Sequence, residues 1–248
     1  TFTLKEYKLG KNINPKTVRD ADVPSMFGET RAAKIVTNAL LMAREKKVAD
    51  LVRTAANYQS SLTSTFSTAA DYWNGSGDPE AQKQGFDQAV MAASGVKRTN
   101  AMACDIQVIR ALRSNAAFID RTKYTSGDPI QLAEIKKFFD VDYVFIAGTM
   151  YDSAQEGATR SLSSPWGKDV IFYHYNPSPA LEDVSFAHMY MSERAFWTKL
   201  IVDEDRNGPA GSMKRLEVGT EYLIDKGYVE SESSNKFAAG YLVKSVIP

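Results

Sequence analysis

Apolar residues along the chain switch between two spacings, and the switches mark its elements. Phe2, Leu4, Tyr7 and Leu9 alternate with Thr3, Lys5 and Lys8, as in an extended, half-exposed strand. No partner strand is evident downstream, so the pattern predicts an edge that pairs with upstream sequence or with another subunit. Lys11 to Pro24, with Asn12, Asn14, Pro15, Asp20 and Asp22, reads as a polar surface connection. From Glu29 to about Ala56 the spacing becomes helical. Ala33, Val36, Leu40, Ala43, Val48, Leu51, Val52 and Ala55 give one apolar stripe with no interior Gly or Pro. Such a helix is about 40 Å long at 1.5 Å per residue. Gln59 to Gly77 is rich in Ser, Thr, Ala and Gly but carries Phe66, Tyr72 and Trp73, so it predicts a loop anchored by aromatic rings. Asp78-Pro79 opens a second helix that runs to about Ala93 and stops at Gly95, with Phe86, Val90 and Met91 on its apolar face.

Thr99 to Tyr151 reads as strand, three helices, strand. Thr99–Cys104 is small and apolar enough for a buried strand. Asp105 can cap a helix carrying Ile106, Ile109, Ala111 and Leu112, and Asn115 can cap a short one carrying Phe118 and Ile119. Asp128-Pro129 predicts the start of a third, with Ile130, Leu132, Ile135, Phe138 and Phe139 on one face. Tyr143–Ile146 is too short for a helix and too apolar for an exposed loop. Beyond Tyr151 a polar, hairpin-like excursion leads to a strand at Val170–Tyr175, stopped by Asn176-Pro177-Ser178-Pro179. The tail adds strand-like runs at Val184–Met191, Ala195–Val202, Leu216–Ile224 and Tyr241–Ile247, read as antiparallel. The fold class is α+β, without the regular alternation of a dinucleotide-binding fold.

Composition changes this picture little. The chain has 248 residues, enough for one large domain or two small ones, and 30 acidic against 30 basic residues. No global field therefore draws it to nucleic acid or membrane. No apolar run approaches the roughly 20 residues that span a bilayer, and no secretory signal is present. The start at Thr1, inside a strand pattern, reads as a proteolytic product or as a chain lacking upstream residues. Locally, Arg31, Lys34, Arg44, Lys46, Lys47 and Arg53 outnumber Glu29, Glu45 and Asp50 on the long helix. A solvated or partner-bridging face is the simpler reading, and a face turned to packaged nucleic acid is the other.

Chemistry is harder to find. Cys104, the single cysteine, sits in a strand and reads as a buried thiol rather than a nucleophile. His174 and His188 lack metal-ligand spacing. There is no G-x-S-x-G, no Walker loop, no G-x-G-x-x-G and no CxxC pair. Gly157, Gly167 and Gly208 fall in separate turns. No catalytic, cofactor-binding or metal-binding residue is nominated, and no cofactor is implied.

Four segments, in order, carry a resemblance to a known family. They are FTLKEYKLGKNI with ADVPSMFGETRAAKIVTNALLMAREKKVADL, then RTNAMACDIQVIRALRSNAAFIDRTKY, then IQLAEIKKFFDVDYVFIAGTMYDSAQEG, and finally Trp166-Gly167-Lys168-Asp169 leading into VIFYHYNPSP. Together they resemble the major capsid proteins of tailed double-stranded DNA phages, with the Hong Kong 97-type fold. The likeness runs from Phe2 to about Pro179 and is looser in the tail.

The resemblance implies a domain plan: residues 1–28 an extended-loop return strand and connection, 29–97 a peripheral domain with a spine helix, 98–200 an axial domain, and 201–248 strands returning to the peripheral domain. It implies a structural protein rather than an enzyme, one that assembles into pentamers and hexamers of an icosahedral shell around double-stranded DNA. Its partners would be copies of itself, a portal, and scaffold or decoration proteins, with only non-specific DNA contacts and no membrane. Its place would be the virion capsid, assembled in the bacterial host cytoplasm. Polar tips such as Ser114-Asn115 and Thr125-Ser126-Gly127 become candidate loops at capsomer centres. Lys5, Lys8 and Lys11 lie where some relatives crosslink, but they read better as solvated lysines. The alternatives are an encapsulin-type compartment with the same fold, and a cytosolic α+β enzyme or small-molecule-binding protein without a sequence signature.

Overall fold

The structure is a computed structural model that describes residues 3–14, 28–96, 98–122, 131–155, 157–178, 183–193, 196–203, 213–226 and 236–248. Contacts gather the chain into two units, Thr1–Glu45 with Met189–Asp225 and Lys46–His188 with Lys226–Pro248.

In the first unit, β1 (Lys5–Ile13) pairs antiparallel with β10 (Met213–Lys226), from Lys5 opposite Tyr222 to Ile13 opposite Lys214. This corrects the expectation of a strand without an internal partner. The partner lies near the other end of the chain, where local spacing gives no sign of the pairing. β8 (Ala187–Met191) and β9 (Trp197–Asp203) also pair with β10. Leu216 and Val218 of β10 and Ile13 of β1 form a small core with Ala32, Val36 and Leu40 of α1 (Glu29–Val52). Tyr7 stacks on Tyr222, ring centres 4.6 Å apart. Gly219 is required by close approach, because a Cβ there would come within 2.2 Å of the Trp197 indole.

The helix expected from Glu29 to about Ala56 ends at Val52, and a 3-10 turn follows at Ala55–Asn57. Its buried line also differs from the expected stripe. Val36, Leu40 and Val52 are buried as expected, joined by Ala32 and Ala49, whereas Ala43 and Ala55 are exposed. Ile35, Leu41 and Met42 are exposed too. Apolar residues occupy more of this helix's circumference than one packed face can hold, so periodicity does not choose which of them go inside.

The second unit is built on a five-stranded sheet in the order β2 (Thr63–Thr65), β11 (Gly240–Lys244), β7 (Val170–Tyr173), β3 (Ala101–Asp105), β4 (Tyr143–Ala147). β11 runs parallel to β2 and β3 parallel to β4, while β7 is antiparallel to both β11 and β3. The last strand therefore enters a mixed sheet, which corrects the reading of the tail as purely antiparallel. Met102, Phe172 and Tyr241 share one face of this sheet, which α2 (Pro79–Ser94), α3 (Ile106–Leu112), α4 (Ala116–Thr122) and α5 (Leu132–Phe139) cover. Phe172 lies 6.3 Å from Trp73, 6.1 Å from Phe86 and 5.5 Å from Phe139. Trp73 is fully buried, so the polar loop is anchored as its aromatic content predicts.

The helix ends follow their local chemistry. The Asp78 carboxylate accepts from the Glu80 and Ala81 N–H groups, Gly95 closes α2 at φ 72°, and Asp105 accepts from Gln107 N. The helix predicted from Asp128-Pro129 begins only at Leu132, where Glu134 reaches back to accept from Gln131 N. Asp128-Pro129 and Thr125-Ser126-Gly127 lie outside the described residues. The polar excursion after Tyr151 is a hairpin of β5 (Tyr151–Asp152) and β6 (Leu162–Ser163). N–H groups of Ala154 and Ser161 donate to Asp152 and hold its carboxyl below the usual range.

Asn115 corrects another expectation. It is fully buried rather than an exposed tip. Its Oδ1 caps α4 by accepting from Phe118 N at 3.1 Å, while its Nδ2 faces the Trp73, Gly75 and Gly77 carbonyls at 3.1, 3.3 and 3.0 Å. One amide thus starts a helix and ties down the aromatic loop. Asn115→Ala removes the cap and leaves buried carbonyls without a donor, so urea denaturation should show a loss of about 2–3 kcal/mol. Asn115→Asp keeps the cap acceptor but turns an oxygen toward those carbonyls, and it should not restore stability.

Candidate assembly surfaces

The second unit's sheet has two unlike faces. Alternation along β4 places Tyr143 and Phe145 with Ala101, Ala103, Ile171 and Tyr173, on the face away from Phe172 and the helices. Tyr143–Ile146 is a strand as the pattern predicts, but an exposed one: Tyr143 is 38% accessible, Phe145 46% and Ile146 38%. Among the described residues β4 ends the strand order, so nothing in the sheet covers its outer side. An exposed aromatic edge and a buried strand have the same composition, and only the strand order separates them.

The rings on this face are mutually packed. Tyr143 and Phe145 lie 5.0 and 5.9 Å from Tyr175, and Phe145 stacks at 6.5 Å on Tyr173. Tyr173 continues to Phe186 at 5.2 Å, and Phe186 to Phe237 at 4.5 Å. Gly240 permits this approach, since a Cβ there would meet the Phe186 ring at 2.5 Å. Burial pushes the Tyr173 phenol well up, with the neighbouring Tyr175 adding to it.

At the inner end of the aromatic strip lies a cavity of about 250 Å³. Val52, Trp166, Tyr173, Tyr175 and Phe186 are among the residues that line it, and among the described residues no Lys, Arg, Asp or Glu does. Both histidines open onto it, although His174 and His188 are well separated in sequence. The buried Nδ1 of His174 has no hydrogen-bond partner, and His188 Nε2 is 2.6 Å from Ser185 Oγ. Ser185 is itself buried and lines the same cavity. Sequence reasoning missed the pairing, because two polar residues three apart in a strand-like run carry no signal.

Elsewhere, Cys104 is fully buried, and burial first, then Asp105, pushes its thiol up. Lys5, Lys8 and Lys11 are exposed on β1. Gly157 and Gly167 take positive φ, 84° and 57°, and Gly208 lies outside the described residues. Of the basic residues on or just after α1, Lys46 pairs with Asp50 at 2.6 Å, and Arg53 with Asp169 at 2.7 Å. Arg44 lies over the Phe196 ring, while Arg31, Lys34 and Lys47 are exposed. Among the described residues no group of three or more His, Cys, Asp or Glu side chains is placed to hold a metal ion, and no helix is long and apolar enough to cross a membrane.

The fold and these surfaces can be compared with known proteins. No protein-family profile matches the chain. A phage-related protein from Bordetella bronchiseptica superposes over 100% of this chain and 78% of its own, with TM-score 0.78 and 21% identity. A structure from Mycobacterium phage Adephagia matches 97% of this chain and 71% of its own, with TM-score 0.56 and 11% identity. The head structure of Helicobacter pylori bacteriophage KHP40 matches 97% and 75%, with TM-score 0.53 and 11% identity. The chain has a phage capsid fold. In sequence it is similar to the major capsid protein of Burkholderia phage BcepMu, 22% identical over 170 residues, 68% of this chain. The match spans about half of that relative's length, 53%.

Within this capsid fold the turn that carries Trp166 into the cavity wall is locked by ions. Arg53 Nε donates to Asp169 at 2.7 Å and Nη1 to Pro165 O at 2.6 Å, while Ser245 N donates to the other Asp169 oxygen at 3.0 Å. Asp169 is buried and the Arg53 side chain keeps 29% exposure. Asp169→Ala removes the counter-charge of a half-buried guanidinium, which keeps only its bond to Pro165 O, and leaves the Ser245 N–H unmatched. Thermal or urea unfolding should register a loss of about 2–3 kcal/mol, below the range for a fully buried pair.

Proposed function

We propose that this chain is a structural capsid subunit that assembles into pentamers and hexamers of an icosahedral shell enclosing double-stranded DNA. The observation that carries this reading is the match of 97% of the chain to the fold of a phage head structure, joined by the sequence similarity to a phage major capsid protein. The surfaces support it. Large apolar side chains stand exposed on an open sheet edge, where a solitary globular protein would place charge or a covering segment.

In this reading function lies in contact energies rather than in bond chemistry. Many contacts of moderate strength sum through multivalency, so no single interface has to be strong. We assign residues 29–97 the peripheral role and residues 98–200 the axial role, with 201–248 returning to the peripheral domain. Copies of the chain are the main partners, with a portal and scaffold or decoration proteins, in a virion capsid built in the bacterial cytoplasm. Arg31, Lys34 and Lys47 on α1 supply the candidates for non-specific, salt-sensitive contact with packaged DNA.

Negative-stain electron microscopy of the full-length product, with sedimentation velocity, tests the reading. Closed shells, or free pentamers and hexamers, are the expected result. A protein that sediments as a monomer or dimer at every concentration and salt condition tried would overturn it.

A further inference from the structure

We propose that the second units of neighbouring copies pack head to tail, the aromatic face of one sheet and the cavity beside it receiving the helical layer of the next copy. This inference rests on the shell reading and adds to it which surfaces meet. Three observations carry it.

The first is the placement of exposed apolar side chains on opposite sides of one layered unit. On the sheet side they are Tyr143 and Phe145, 38% and 46% accessible. On the helical side they are Met91 of α2, Ile119 of α4 and Leu132 of α5, at 44%, 44% and 39%. Met91 and Ile119 directly follow Val90 and Phe118, which are fully buried. A step of one residue turns a helical side chain by about 100°, so neither belongs to the line that packs inward. A two-fold contact needs one patch that complements itself, whereas unlike patches on opposite faces fit a heterologous contact, the kind that closes rings.

The second observation is the character of the sheet side. The strip from Phe145 through Tyr175 and Tyr173 is held by ring-to-ring contacts before any partner arrives, so little side-chain freedom remains to be lost on docking. Among the described residues that line the cavity at its end, none carries a charged side chain. An incoming charge would lose its water without compensation there, and an aliphatic side chain would not. Methionine, isoleucine and leucine on the helical side meet that requirement.

The third is a contrast among sheet edges. β1, at one end of its sheet, carries Lys5, Glu6, Lys8 and Lys11, and β2 is three residues long. Both are ordinary protections against unwanted pairing. β4 presents Tyr-Val-Phe-Ile-Ala with no charge and no proline. The chain protects the β1 and β2 edges and leaves β4 bare, as it does β8, whose Ala-His-Met-Tyr-Met is also free of charge and proline.

Cysteine crosslinking in assembled particles tests this cleanly, because the native Cys104 is buried. Phe145→Cys and Ile119→Cys are made separately in the full chain and co-expressed, and the particles are treated with a short flexible bis-maleimide. Met91→Cys and Leu132→Cys serve as alternative helical positions. Covalent dimers are expected from the mixtures and not from any variant alone, and a chain carrying Phe145→Cys with a helical cysteine should give a ladder of higher multimers. Dimers from Phe145→Cys alone would show the edge pairing with itself and overturn the proposal. So would intact particles in which none of the helical positions crosslinks, an outcome that leaves the shell reading standing. If the unmodified chain forms no particles, the shell reading fails first, and sedimentation of that chain identifies this case.

Discussion

The packing around Phe172 is the contact on which the second unit depends. This ring sits on β7, between β11 and β3, and meets Trp73 from the loop after β2, Phe86 from α2 and Phe139 from α5. Each partner comes from a different stretch of chain, so the cluster closes only when strand order and helical layer are both in place. Burying so much aromatic area supplies the driving force, and the ring geometry restricts how the layers can meet. Polar groups then serve the cluster. Asn115 turns its amide to the loop that carries Trp73, and Asp78 and Asp105 start the helices that bring Phe86 and the α3 residues over the sheet.

Because α2 to α5 are committed to the Phe172 face, the opposite face has to be covered by other means, among them the end of α1 at Val48 and Val52. Phe186, Phe237 and Tyr58 do this over part of the sheet, in a second run of touching rings. The cover stops at the cavity, and beyond it Tyr143 and Phe145 stand open. The first unit shows a related excess on a smaller scale. Its core uses one line of α1, and Ile35, Leu41 and Met42 remain outside it. In a protein that works alone such surfaces are a liability, since apolar area left in water favours association. In the capsid-subunit reading proposed above, the same surfaces are candidates for association.

Much of the local structure is legible in the residues themselves. The caps at Asp78 and Asp105, the stop at Gly95, the helix interiors and most strands follow from short-range rules, because the groups that satisfy them lie within a few residues. Order along the chain was equally readable, and four degenerate segments in sequence were enough to suggest the fold. What failed did so at long range. β1 found its partner in β10, β11 joined a mixed sheet rather than an antiparallel tail, and Asn115 turned inward although its neighbours are polar.

The candidate surfaces divide in the same way. Composition and motif content alone removed the usual catalytic signatures and left a balanced, apolar-rich α+β chain, since those properties depend only on which residues are present and how they are spaced. Whether Tyr143 and Phe145 are core or surface, and whether His174 and His188 share a cavity, depends on strand order and on which face the helices take. A strand's alternation shows that two faces differ without saying which is covered. That choice is made by contacts between residues far apart in the chain, and only the folded structure contains them.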